Sequence, residues 1–101
     1  MEWITVEGTI EEIYENIEKY KEGLTPKAIE KGFGYLLNTK DGKIIVIADK
    51  DLLMLGIVRI GNYVKAIGWF KDKGIFLATM TVGQVDEEKF EKIKPTLRNL
   101  F

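Results

Sequence analysis

The sequence predicts a small, soluble, sheet-rich domain, and three observations point there. First, Gly61–Val85 reads as one antiparallel hairpin: Tyr63–Phe70 and Ile75–Val82 are rich in β-branched and aromatic residues and flank the polar turn Lys71-Asp72-Lys73-Gly74. Second, Phe33–Leu37 and Lys43–Ala48 flank Asn38–Gly42, where Asp41-Gly42 is a strong hairpin signal. Third, 101 residues are one domain's worth of chain, and no apolar run nears the roughly 20 residues of a membrane span.

The remaining elements follow in order. Trp3–Glu7 alternates Ile4 and Val6 with Trp3, Thr5 and Glu7, the period of a half-buried strand. Thr9 and Glu12 then form a capping box, and Ile10, Ile13, Tyr14, Ile17 and Tyr20 fall on one helical stripe before Gly23. Ile10–Glu22 is therefore expected as an amphipathic helix. The competing reading carries the first strand through a bulge at Gly8 into Thr9–Tyr14. Thr25 and Pro26 are preset to open a second short helix that Gly32 ends. Two helices joined by Glu22–Thr25 suggest helix-turn-helix, but the second is only about six residues, too short for a reading helix. Ile44–Ile47 is apolar on both faces, so either both sides of the sheet are covered there or one is a contact surface. Asp49–Gly56 interrupts the sheet with one helical turn whose leucines plug the core. Asp86 caps a last helix, Glu87–Lys94, followed by Pro95 and the apolar tail Leu97, Leu100 and Phe101.

Composition removes whole classes of chemistry. Cysteine, histidine and serine are absent, so there is no disulfide framework, no Cys/His zinc site and no Ser-His or Cys-His nucleophile. No signal segment opens the chain, and a cytoplasmic location is expected. Abundant lysine and glutamate with a single glutamine, Gln84, fit a thermophile. The net charge of −1 is uneven. Met1–Leu24 holds seven acids against two lysines, whereas Thr25–Ile75 holds nine bases against five acids. The middle of the chain therefore presents a basic surface or ordinary solvated charge. Asp49 with Asp51, or Glu11 with Glu15, could offer oxygen ligands to a cation, but each pair is explained as a helix cap or a solvated helix face. No metal, no cofactor and no enzymatic activity are expected.

From Phe33 onward the order is strand, Asp-Gly turn, strand, helical plug, Gly61-Asn62-Tyr63-Val64-Lys65-Ala66-Ile67-Gly68, Lys-rich turn, strand. This resembles the second half of an OB-fold barrel of the replication protein A-like and anticodon-binding type, with Trp3–Gly8 as the first strand. The resemblance implies a mainly β, five-stranded OB-like barrel with a helical insertion after strand one and a C-terminal helix. The alternative is an α+β antiparallel sheet packed on helices, because Ile10–Lys31 exceeds an ordinary connection. It also implies a groove that binds single-stranded nucleic acid by stacking bases on rings while cations track the phosphates. The residues expected to carry that binding are Phe33, Tyr35, Lys43, Lys65, Lys71 and Lys73, with Lys43, Ile45 and Ile47 facing outward beside the two rings. On β-period alone, Val64, Ala66, Gly68 and Phe70 face inward and Tyr63, Lys65, Ile67 and Trp69 outward. The second function class is a protein-binding or homodimerising module using Ile45, Ile47, Trp69, Leu100 and Phe101. No membrane role is expected.

Overall fold

The computed structural model describes residues 2–83. Its elements are β1 (Ile4–Tyr14), a 3-10 turn (Glu18–Tyr20), α1 (Pro26–Lys31), β2 (Gly32–Thr39), β3 (Gly42–Asp49), α2 (Asp51–Met54), β4 (Tyr63–Asp72) and β5 (Ile75–Gly83). The strands close into a barrel in the order β1-β2-β3-β5-β4, so the fold is mainly β and OB-like, and the open α+β alternative does not form. Helical material does follow the first strand, as α1. The last helix, Glu87–Lys94, and the tail Leu97–Phe101 lie outside the described residues.

The expected helix over Ile10–Glu22 does not form; β1 runs through to Tyr14. Its first half pairs antiparallel with β4, from Ile4 opposite Gly68 to Thr9 opposite Tyr63. Its second half pairs with β2, from Thr9 opposite Asn38 to Tyr14 opposite Gly34. The register slips between Ile10 and Glu12, leaving Glu11 as a bulge. Inward positions therefore run Val6, Gly8, Ile10 and then Ile13. One extra residue turns a period of two into a spacing of three, which is what imitates a helical stripe. Ile17 belongs to no helix. It folds back over the outer face of β2, where Gly32 and Gly34 leave room for its methyl groups. With no first helix, the helix-turn-helix reading also falls.

The two hairpins form as expected. β2 and β3 pair from Gly32 opposite Asp49 to Thr39 opposite Gly42, and Gly42 takes φ of +122° in the turn. β4 and β5 close through Gly74 at φ +84°, a conformation that disfavours a side chain. Thr25 caps α1 by accepting from the Ala28 amide at 3.1 Å, with Pro26 in the first turn. Asp49 accepts from the Asp51 amide at 2.9 Å just ahead of α2, whose N-cap position is Lys50.

The interior is built from Ile10, Phe33, Tyr35, Leu37, Val46, Val64, Ala66 and Phe76. After α2, Ile57 and Val58 fill one end of the barrel, with Leu52, Leu53 and Leu55 packed against them and the rest of the core. Closure depends on a short parallel seam between β3 and β5: Ile45, Val46 and Ile47 opposite Ile75, Phe76 and Leu77.

Gly8 sits where β1 leaves β4 for β2, and a Cβ there would overlap the Asn38 carbonyl. Gly8→Ala is expected to lower unfolding free energy by more than about 2 kcal/mol, because a backbone atom has to move. Urea denaturation checks this; a change under about 0.5 kcal/mol would mean that the bend is not tightly packed.

A candidate interaction face on the barrel

The residues expected to form a nucleic-acid groove are not brought together. Phe33 and Tyr35 are 0 % exposed, so neither ring can stack a base. Their strand partners explain this: Phe33 faces Ala48, Tyr35 faces Val46 and Leu37 faces Ile44, all on the inner side. The inward positions of β3 are as expected, but the β2 rings share that side rather than the side of Lys43. Ile47, expected on a contact surface, is 5 % exposed, and Ile45 is half-buried beside Ile75, so both sides of β3 are covered there.

Three of the four lysines are held by carboxylates. Lys43 Nζ lies 2.8 Å from Glu11, the bulge residue, which also accepts from the Asn38 side chain at 3.0 Å. The hydrogen bond that Lys43 donates to Glu11, with the carboxylate's charge, raises the Lys43 pKa above the usual lysine value. Lys65 Nζ is 3.7 Å from Glu7. Lys43 and Lys65 thus sit on opposite flanks of β1. The Lys71 side chain is only 14 % exposed, with Nζ 3.4 Å from Asp72 and its stem against Gly23. Lys73 is exposed and in no ion pair with another described residue.

A different surface assembles instead. The outer side of the β1–β4–β5 sheet carries Tyr63, Lys65, Ile67 and Trp69 of β4, the phase expected from its period, but Phe70, expected inward, is 42 % exposed beside a slip of the ladder between Phe70 and Asp72. Register places Glu7, Thr5 and Thr9 beside them on β1, and Val82, Met80 and Leu77 on β5. Trp3 continues the row, its ring 5.6 Å from Trp69 in an edge-on contact. Trp3, Tyr63, Met80 and Val82 are each more than half exposed, at 64, 55, 56 and 53 %. The outer side of an antiparallel sheet is ordinarily polar; this one carries aromatic and aliphatic side chains on β4 and β5 and at Trp3, beside a polar β1. Trp69 and Ile67 were legible as outward. Met80 and Val82 were not, because the ladder slips between Ile67 and Gly68 and skips Thr79, which resets the alternation along β5.

A second feature lies where β3 and β5 diverge past their seam. A cleft of about 320 Å³ opens there over Ile47, Ala48, Leu77 and Ala78, with Lys27 and Lys31 of α1 along its rim. The two lysines are one helical turn apart, exposed, and in no ion pair with a described residue. That spacing was readable, but the strand divergence that gives it a floor was not. Among the described residues no cluster of three or more acidic side chains gathers to hold a metal, and no helix is long and apolar enough to cross a membrane.

Tyr35 contributes to stability rather than to recognition. Its hydroxyl meets Thr81 Oγ1 at 3.3 Å, and burial pushes its pKa up to about 12, an effect that the Thr81 contact partly offsets. An unfolded tyrosine ionises near pH 10. Between there and the raised value the unfolded chain holds fewer protons, so stability falls as pH rises. Tyr35→Phe should cost about 1 kcal/mol at pH 8 from the lost hydrogen bond, yet recover about 2–3 kcal/mol against the unsubstituted protein towards pH 12. Urea unfolding of both proteins at the two pH values reads this, and parallel pH profiles would refute it. Comparison with protein-family models and with curated proteins finds nothing that matches this chain.

Proposed function

We propose that this protein is a non-enzymatic protein-interaction module whose contact surface is the outer β1–β4–β5 face. The observation that carries the reading is the band on β4, β5 and the residue before β1: Trp3, Tyr63, Met80 and Val82 are exposed, with half-buried Ile67 and Trp69 between them. Contiguous apolar surface of this kind marks association sites, because covering it recovers the free energy its hydration costs. Chemistry favours a protein over a polyanion here. The only cation among these outward positions is Lys65, which Glu7 already faces at 3.7 Å, and phosphate binding scales with the cations that replace counterions.

The reading is tested by placing a charge on the face. Met80→Lys is expected to leave unfolding free energy within about 0.5 kcal/mol of the unsubstituted protein, measured at concentrations too low for association, because the site is solvated in the free chain. A loss of more than about 2 kcal/mol would place Met80 inside the fold's own core and overturn the reading.

Single-stranded nucleic acid is the second reading, and the cleft beneath α1 favours it. Its apolar floor can accept a base while Lys27 and Lys31 meet the flanking phosphates. Labelled single-stranded DNA and RNA, titrated at low and moderate salt, should then show salt-sensitive binding that falls for Lys27→Glu/Lys31→Glu and is unmoved by Met80→Lys. Binding indifferent to the two lysines removes this reading.

A further inference from the structure

We infer that the occupant of the β1–β4–β5 face is a second copy of this chain, packed face to face across a two-fold axis near Ile67 and Met80. The inference rests on the interaction-module reading and adds the partner to it. Three features of the face argue for a copy of itself.

The first is shape. Trp3, Trp69 and Leu77 lie abreast at one end, while Glu7, Lys65 and Val82 lie abreast four residues along β1 and β4, with Tyr63 beyond them. An axis along the intervening Thr5–Ile67–Met80 row lays Trp3 over the other copy's Glu7, Trp69 over its Lys65 stem and Leu77 over its Val82. Large side chains thereby meet small ones, and the contact is reciprocal, as an isologous interface requires. A lysine ammonium beside an indole face is itself favourable.

Charge is the second feature. Among the outward positions in these three rows, Glu7 and Lys65 are the only charged groups, and they neutralise each other within one protomer. The two copies bring no net charge together, and the face offers no excess of either sign that would select an acidic or basic partner.

The third is area. With buried aromatic side chains contributing about 150–250 Å² each, the exposed portions of these rows come to roughly 600–800 Å² per protomer. A standard stable interface buries about 800 Å² per partner. Two three-stranded sheets stacked this way have the geometry of a β-sandwich, with layers about 10 Å apart.

Sedimentation velocity from about 1 μM to about 500 μM, with p-benzoylphenylalanine in place of Val82 for photo-crosslinking, tests the pairing. The expected result is a species of twice the 11.6 kDa chain mass, weakened at least about 30-fold by Met80→Lys without a change in melting temperature at concentrations too low for association. Irradiation should join position 82 of one copy to the Leu77 or Trp69 peptide of the other. A chain monomeric throughout this range, with no intrachain crosslink, overturns the dimer and leaves the face to a partner of another kind. A crosslink within one chain, to residues 84–101, overturns the dimer and the interaction-module reading together. A dimer that Met80→Lys leaves intact uses another surface and overturns the inference.

Discussion

One strand serving two ladders holds this protein in its closed form. Thr9 faces Asn38 on one side and Tyr63 on the other, so β1 belongs to both halves of the barrel. Gly8 makes the change of partner possible by keeping its side of the strand bare against the Asn38 carbonyl. The Glu11 bulge then returns Ile13 to the interior and frees a carboxylate for Asn38 and Lys43. Without this strand the β2–β3 and β4–β5 hairpins would meet only along the three-residue seam between β3 and β5.

The same closure decides which side chains remain outside. Turning β2 and β3 inward fills the barrel with Phe33 and Tyr35, and Ile17 seals the glycine-rich outer side of β2. The aromatic surface that faces solvent is left to the opposite wall, where β4 is flanked by β1 and β5. The rings are therefore divided between walls: those of β2 keep the fold together, and Trp3, Tyr63 and Trp69 lie on the outer side of the opposite wall.

Much of this architecture was legible in the chain. The two hairpins, the Thr25-Pro26 helix, the leucine plug and the alternation of β4 were each announced by turn residues, caps or period. What could not be read depended on bulges and on pairing partners. Glu11 converted a strand into the likeness of a helix, and the slip near Thr79 hid the outward positions of Met80 and Val82. Phe33 and Tyr35 could be placed on a shared face, but not on the inner one, because alternation fixes which residues go together and not the side they occupy. Of the expected binding residues, Lys65 lies on the face that formed and Lys73 stands exposed elsewhere, while Lys43 and Lys71 are held by acids.

The brevity of the β3–β5 seam has a consequence for how copies of this chain can meet. Beyond Ile47 and Leu77 the two strands part, and no strand among the described residues lies between them to pair their backbone donors and acceptors. Such an opening is a template onto which a foreign strand can add, the first step towards uncontrolled polymerisation. Here α1 stands across it, with Lys27 and Lys31 at its margin, so an incoming strand meets a helix and two ammonium groups. Pairing of two copies rim to rim is thus hindered at this opening.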